Sequence, residues 1–170
     1  IIRADIEMGN QSEFLKRFQR EAKSLAQLDH PYILKVLDYG DQEGLPYLVM
    51  PFLEGGTLKE KMGKPMPYSQ AAALLTPIAE ALDYAHKRSI IHRDVKPANF
   101  MYDKDTDTLK ITDFGIARLT DSSRTKTGII LGTPSYMSPE QLSGTSVTGQ
   151  SDLFSLGVTL YQLLAGVPPF

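Results

Sequence analysis

One stretch of the sequence, residues 92–99, combines side chains that could do chemistry together. It places an acid, Asp94, a cation, Lys96, and an amide, Asn99, within six positions. A second acid, Asp113, follows fourteen residues later. A carboxylate can accept the hydrogen bond of a hydroxyl, and a lysine can place positive charge beside a phosphate. Amide and carboxylate oxygens are hard ligands that suit Mg²⁺. These residue types favour phosphoryl transfer to a hydroxyl.

Each of these residues has an ordinary explanation when it stands alone. A single Asp in a loop is usually a turn residue, and Asp-Phe-Gly is a common tripeptide. The joint pattern is far more specific, because His-Arg-Asp-x-Lys-Pro-x-Asn at residues 92–99 is followed by Asp-Phe-Gly at residues 113–115. This pair of motifs resembles the catalytic loop and the metal-binding motif of the protein kinase family.

The resemblance implies a catalytic role for all four residues. Asp94 would orient the acceptor hydroxyl for in-line attack, and Lys96 would lie beside the γ-phosphate of ATP. Asn99 and Asp113 would hold Mg²⁺, so both also contribute to the binding of Mg-ATP. The expected reaction transfers the γ-phosphoryl group of Mg-ATP to a hydroxyl of a protein substrate. For His92 we expect a structural role rather than general-base catalysis.

The resemblance also implies a nucleotide-binding group elsewhere in the chain. Met50 resembles the gatekeeper of the family, and Pro51 and Leu53 lie in a segment that resembles the adenine hinge. Proline keeps its carbonyl oxygen as an acceptor, so the expected donor to adenine is the Leu53 N–H. Met101 resembles the apolar floor of the adenine pocket, although a core role is the simpler explanation. Glu21 matches the glutamate that pairs with a strand lysine, although its spacing alone fits an exposed helix charge.

A regulatory role is expected for Arg93 and for three threonines. An Arg beside the catalytic Asp resembles kinases that are switched on by activation-loop phosphorylation. Thr125 and Thr127 are two of several hydroxyl residues in the loop that would carry the phosphate, although a Ser/Thr-rich flexible loop is the simpler explanation. Thr133 matches the family threonine that bridges the catalytic Asp and Lys. Together with Lys96, it predicts Ser or Thr rather than Tyr as the acceptor.

Hydrophobic periodicity predicts the elements that position these residues. Helices are predicted over residues 11–28, 68–88 and 149–165, one hairpin from strands 33–39 and 47–50, and a second from strands 100–102 and 109–112. The third helix is apolar enough to be buried on most sides. One Pro and two Gly at residues 51–56 favour a hinge between a partial N-lobe, residues 1–50, and a partial helical C-lobe, residues 57–170. The expected fold is α+β, two-lobed and protein-kinase-like, truncated at both ends.

Composition excludes several classes of protein and of site. The net charge of −2 gives no sign of nucleic-acid binding or of a polybasic membrane surface. The absence of cysteine excludes disulfides and thiolate zinc sites and fits a reducing compartment. We expect a cytoplasmic segment without membrane contact, in a parent protein that could be anchored elsewhere. The expected partner is a protein with a Ser or Thr acceptor, and a homodimer is one arrangement that would serve trans-autophosphorylation.

Two parts of the family's site are missing from the sequence. It contains neither a G-x-G-x-x-G loop nor a V-A-I-K strand, and Lys16 and Lys23 fall on the first predicted helix. One interpretation is a fragment of a serine/threonine kinase, most similar to bacterial kinases of the eukaryotic type in residues 115–118 and 136–141, and weakly active or inactive by itself. The alternative is a pseudokinase that serves as a scaffold. The apolar ends of the chain and the four retained catalytic residues favour the fragment.

Overall fold

The computed structural model describes residues 11–114 and 134–170 of the 170-residue chain. Four helices are described: α1 (Gln11–Ala26), α2 (Tyr68–His86), α3 (Pro139–Leu142) and α4 (Gly149–Ala165). Four strands are described: β1 (Asp38–Gln42), β2 (Leu45–Val49), β3 (Phe100–Asp103) and β4 (Thr108–Ile111). Three expected regulatory residues, Thr125, Thr127 and Thr133, lie outside the described ranges.

The strands form two separate antiparallel hairpins, β1–β2 and β3–β4. The prediction for the first hairpin was wrong in its bounds, because β1 begins at Asp38 and includes residues 40–42, which were expected to be loop. The turn needs only two residues, since Glu43 and Gly44 both have positive φ, at 52° and 78°. Such a pair matches the twist of the flanking strands, so the neighbouring residues remain free to join the ladder.

Residues 33–37, which were expected to form most of the first strand, serve a different purpose. Ile33 forms an isolated parallel bridge with Ile111 of β4. The Leu34 N–H donates to the Ile111 carbonyl at 2.9 Å. This segment therefore connects α1 to the second hairpin, and β4 ends at Ile111, two residues before Asp113.

Helix α4 has the predicted bounds, and it ends at Gly166 in the left-handed conformation with φ of 78°. The expectation that it is buried on most sides was wrong, since Leu153 is 53% exposed and Tyr161 is 50% exposed. Its buried residues are the apolar Val158 and Leu163 and four polar residues, Ser151, Asp152, Ser155 and Thr159. Two of the polar residues are offset by backbone groups of other segments, because Asp152 accepts from the catalytic loop and Ser155 donates to the Tyr136 carbonyl.

Two hydrophobic clusters hold the elements together. The main cluster joins α2, α4 and the second hairpin, with Phe100, Ile78 and Leu82 fully buried. A smaller cluster joins α1 to the first hairpin around Phe18 and Ala22. This mixture of helices and hairpins is the expected α+β arrangement, whereas the division into lobes at residues 51–56 stays a prediction. Within the described ranges, no helix is long and apolar enough to span a bilayer.

Candidate active site

Asp152 of α4 fixes the backbone of the loop that carries Asp94. Its Oδ2 accepts the His92 N–H at 2.8 Å, and its Oδ1 accepts the Arg93 N–H at 2.7 Å. The His86 Nε2 lies 2.7 Å from the same Oδ2. The Asp152 side chain is almost completely buried, and such a carboxylate requires several donors to offset its desolvation. The loop backbone supplies two of them, so helix and loop are bound at one point.

His92 is a buried structural residue, as expected. Its Nδ1 accepts the Asp94 N–H at 3.1 Å, so the hydrogen of a neutral ring lies on Nε2, 2.8 Å from the Thr112 carbonyl. Burial lowers the pKa of His92, and the nearby charge of Asp152 opposes that shift. The neutral ring thus joins the loop to the end of β4, and it also packs against Phe114.

Three of the expected catalytic residues are in direct contact. The Lys96 Nζ lies 2.7 Å from Asp94 Oδ2. The Asn99 Nδ2 donates to the Asp94 carbonyl at 2.7 Å and to Asp94 Oδ2 at 3.0 Å. Pro97–Asn99 forms a short 3₁₀ turn, which brings Asn99 back towards the acid. One carboxylate oxygen of Asp94 is therefore fixed by two partners.

Asp113 joins this group through the backbone of β4. The Thr112 N–H donates to the Asn99 carbonyl at 3.0 Å, which places the two expected metal ligands side by side. Asp113 has a φ of 62°, an uncommon conformation that Asp tolerates better than most residues. Burial raises the pKa of its carboxyl, the charge of Asp94 adds to the shift, and the charge of Lys96 opposes it.

Asn99 and Asp113 fit a hard divalent cation such as Mg²⁺. Asn99 uses its amide nitrogen on Asp94, so its oxygen Oδ1 is left for another partner. Asp113 forms no ion pair with any described residue, although burial disfavours its charge. A cation held between an amide oxygen and a partly buried carboxylate would offset that cost.

The hinge segment lies beside the catalytic group. The Thr112 hydroxyl lies 3.8 Å from the Met50 Sδ, and Met50 lines a small cavity together with Asp113 and Phe114. Among the described residues, the Pro51 carbonyl and the Leu53 N–H have no hydrogen-bond partner. The acceptor on Pro51 and the donor on Leu53 are thus both available to a ligand on one short segment.

Strand β3 contacts residues 55–57, which follow this segment in the sequence. Met101 forms an isolated bridge with Thr57, and the Tyr102 N–H donates to the Gly56 carbonyl at 2.9 Å. A Cβ on Gly55 would lie 2.0 Å from the Tyr102 carbonyl oxygen, so only glycine permits this approach. Because Met101 follows Asn99 closely in sequence, β3 links the hinge directly to the catalytic loop.

Glu21 is not joined to the group by any contact. It is partly exposed on α1, and it forms no ion pair with a described residue. Leu25, one turn further along α1, lines the same cavity as Met50 and Asp113. Residues four apart share a helix face, so Glu21 lies on the side of α1 that faces the site.

The sequence interpretation missed a contact between α3 and the catalytic loop. The Gln141 Nε2 donates to the Arg93 carbonyl at 2.7 Å. The pattern Ser-Pro-Glu-Gln at residues 138–141 signals a capped helix start, which the structure shows. It gives no indication of the second partner, since that partner lies 48 positions away in the sequence.

Comparison with known proteins agrees with this geometry. A family model described as the protein kinase domain matches residues 3–170. The chain is 45% identical over 178 residues to serine/threonine-protein kinase PknB of Mycobacterium leprae, covering 100% of this chain and 28% of that protein. It is 43% identical over 167 residues to a probable serine/threonine-protein kinase of Clostridium perfringens, covering 96% of this chain and 24% of that protein. The chain thus spans about a quarter of the length of these bacterial relatives.

A solved structure shows the same fold. The structure of a variant of the PknI kinase domain of Mycobacterium tuberculosis is similar to this chain, with a TM-score of 0.75 and 34% sequence identity. The match covers 97% of this chain and 63% of that one. The expected resemblance and the expected α+β kinase fold are thereby confirmed. The chain belongs to the protein kinase family.

Proposed function

We propose that the protein is an ATP-dependent serine/threonine kinase, which transfers the γ-phosphoryl group of Mg-ATP to a Ser or Thr hydroxyl of a protein substrate. The observation that carries this proposal is the contact of Lys96 and Asn99 with one oxygen of Asp94, beside the partly buried Asp113. The names of the bacterial relatives support the choice of acceptor.

Asp94 orients the acceptor hydroxyl. Its Oδ2 is occupied by Lys96 and Asn99, whereas its Oδ1 has no partner among the described residues. The side chain is 27% exposed, so a substrate hydroxyl can reach Oδ1. A hydroxyl that donates to Oδ1 turns its own lone pair towards the phosphate. Such positioning is the main contribution of the protein to phosphoryl transfer.

Lys96, Asn99 and Asp113 form the phosphate side of the site. Lys96 places its charge next to Asp94, where it offsets negative charge that develops on the transferred group. Asn99 Oδ1 and the Asp113 carboxylate would hold Mg²⁺, which neutralises phosphate oxygens when it is bound. The chain's own residues thus orient both reactants and keep them in line.

The free groups of the hinge support the proposed adenine site. The Pro51 carbonyl would accept from the adenine amino group, and the Leu53 N–H would donate to a ring nitrogen. Met50 and Met101 would pack on the two apolar sides of the ring. A proline at the acceptor position costs nothing here, because only its carbonyl is needed.

Control by phosphorylation is part of the proposal. Arg93 directly precedes Asp94, so a phosphate held near Arg93 would act on the backbone that carries the catalytic acid. Thr125 and Thr127 are the proposed acceptors in the loop, with Thr133 as the residue that bridges Asp94 and Lys96. Transfer between two copies of the protein would supply the phosphate, and use of ATP fits a cytoplasmic location.

One observation favours the alternative of a scaffold without activity. Glu21 has no cationic partner among the described residues, and the 170 residues contain no strand lysine of the expected kind. A pseudokinase would bind partners or nucleotide without transferring phosphate. Because Asp94, Lys96, Asn99 and Asp113 are all present and grouped, we retain the enzyme as the primary proposal.

The test is a transfer assay on the intact protein. ATP labelled on its γ-phosphate, Mg²⁺ and a general Ser/Thr protein substrate are supplied, and the labelled amino acids are identified. The proposal predicts labelled serine or threonine, with transfer lost when Mg²⁺ is chelated. Nucleotide binding without any transfer would support the scaffold instead, and labelled tyrosine would contradict the proposed acceptor.

A further inference from the structure

The peptide unit between Arg93 and Asp94 is hydrogen-bonded both at its carbonyl and at its N–H. Its carbonyl, from Arg93, accepts the Gln141 Nε2 at 2.7 Å, and its N–H, from Asp94, donates to the His92 Nδ1 at 3.1 Å. The plane of this unit sets the direction in which the Asp94 side chain leaves the backbone. Gln141 is therefore the group of α3 that acts on the orientation of the catalytic acid.

The loop needs this support because its backbone is strained. Arg93 has a φ of 70°, in the left-handed region that is unfavourable for a residue other than glycine. Such a conformation persists only where surrounding contacts determine it. Asp152 fixes the Arg93 N–H at 2.7 Å, but that group belongs to the preceding peptide unit. Without the Gln141 amide nitrogen, the Arg93 carbonyl would lose this hydrogen bond, and the peptide unit would be less restrained.

Gln141 is itself held in place by the start of α3. Its Oε1 accepts the Ser138 N–H at 3.0 Å, so the amide oxygen serves the helix while the amide nitrogen serves the catalytic loop. Glu140, the preceding residue, accepts a hydrogen bond from Ser151 of α4. Ser151 directly precedes Asp152, so α3, α4 and the catalytic loop form a closed set of contacts.

We propose that Gln141 is a positioning residue, which holds the Arg93–Asp94 peptide unit through its amide nitrogen and thereby sets the orientation of Asp94. The inference rests on the proposed kinase function for its effect on turnover. The contact also couples α3 to the active site, because a displacement of α3 would move the Gln141 amide nitrogen that donates to the Arg93 carbonyl.

The decisive variant is Gln141→Glu in the intact protein. Glutamate has the same shape and keeps the acceptor for Ser138, since Glu and Gln serve equally at this position of a capping box. It presents no donor to Arg93 and places a negative oxygen against a carbonyl. Gln150→Glu is the matched control, because it makes the same chemical change at an exposed position of α4. We measure kcat, the KM for ATP, the melting temperature, and hydrogen exchange of the Asp94 amide.

For Gln141→Glu we expect kcat to fall by about 10-fold or more, since small misplacements of reacting groups cost up to about 100-fold. The KM for ATP and the melting temperature should stay close to those of Gln150→Glu, and the Asp94 amide should exchange faster. Gln141→Lys, which restores a donor but not the cap, should retain more turnover than Gln141→Glu even if it melts earlier.

Unchanged kcat and unchanged exchange in Gln141→Glu would overturn the inference while leaving the proposed function intact. A kcat that falls only in proportion to lost folded protein would overturn it as well, since that is a purely structural role. If the wild-type protein transfers no phosphate, faster Asp94 exchange in Gln141→Glu still supports the positioning role, and unchanged exchange still refutes it. The two proposals therefore fail by different results.

Discussion

Asp94 and Asp113 are carboxylates of one site, but their surroundings give them different properties. Asp94 has a cation 2.7 Å from one oxygen and an amide donor on the same oxygen. Asp113 is partly buried, has no ion pair with the described residues, and its pKa is raised by that burial. The first is suited to holding a hydroxyl, and the second gains most from a bound cation.

Replacing Asp113 should remove the effect of Mg²⁺ on nucleotide binding. In the intact protein, we expect Mg²⁺ to tighten ATP binding, and Asp113→Asn should lose most of that gain, on the order of 10-fold or more, because a metal ligand is lost. Calorimetry with and without Mg²⁺ measures the difference. Asp105→Asn, at an exposed turn between β3 and β4, is the matched control. An equal gain from Mg²⁺ in both variants would refute the assigned ligand.

His92 should remain neutral where an ordinary histidine is half protonated, at about pH 6.5. Burial lowers its pKa in the folded protein, so the unfolded chain binds a proton first as the pH falls. Its contribution to the unfolding free energy is therefore complete above about pH 6.5 and is lost as the pH decreases below that value. NMR titration of the ring carbon resonance measures this directly, and a midpoint at or above 6.5 would show the assignment to be wrong.

At the scale of elements, hydrogen bonds and close approaches between backbones hold several segments of the proposed site against the β3–β4 hairpin. Gly55 lets the hinge approach β3, Ile33 bridges to β4, and the Thr112 N–H binds the Asn99 carbonyl. These three contacts connect the hinge, the segment after α1 and the metal ligands to one hairpin. The β3–β4 hairpin is thus the element around which the catalytic group is built.

A methyl group at residue 55 should disturb both folding and nucleotide binding. Gly55→Ala places Cβ against the Tyr102 carbonyl, which cannot yield as a flexible side chain would. We expect a loss of about 1–3 kcal/mol in unfolding free energy and weaker ATP binding, since the hinge must move away from β3. Denaturant melting and ATP titration check this. Gly157→Ala on α4, where an added Cβ meets nothing within 4 Å, should be neutral or slightly stabilising.

Periodicity and motif spacing predicted part of this arrangement and missed the rest for physical reasons. Helix α4 was predicted to its end residues from its run of apolar residues, and the structure shows Thr148 as its N-cap and Gly166 as its C-cap. The first hairpin was misplaced because Gly40 and Asp41 are typical turn residues, yet they pair in β1. The burial of Ser151, Ser155 and Thr159 is not apparent from the apolar periodicity of α4, because it depends on hydrogen bonds that the pattern does not show. Motif spacing grouped Asp94, Lys96 and Asn99 but carried no sign of Gln141.

At the scale of the molecule, the chain contains one side of a kinase site. The catalytic loop and the residues next to the proposed metal ligands join the main hydrophobic cluster through Val95, Phe100 and Phe114. The glycine-rich loop and the strand lysine, which grip the phosphates in the family, are not among the 170 residues. We therefore propose that positioning of the γ-phosphate by this chain depends on Lys96, Asn99 and Asp113.

The 170-residue chain by itself should show little or no transfer. Loss of phosphate positioning removes several kcal/mol of transition-state stabilisation. We expect its turnover to lie at least about 100-fold below that of the intact protein, in the same assay and at equal folded concentration. Circular dichroism verifies folding of both samples. Comparable turnover of the two would contradict the proposal that the chain is a fragment with little or no activity of its own.

The most direct test of the account is Asp94→Asn in the intact protein, with turnover and ATP affinity measured on the same sample. Asparagine keeps the size of the side chain but replaces one carboxylate oxygen with a donor and removes the charge that pairs with Lys96. The account predicts that kcat falls by roughly 100-fold or more while the Kd for Mg-ATP changes little. Near-normal turnover in this variant would contradict the assignment of Asp94 as the residue that orients the acceptor.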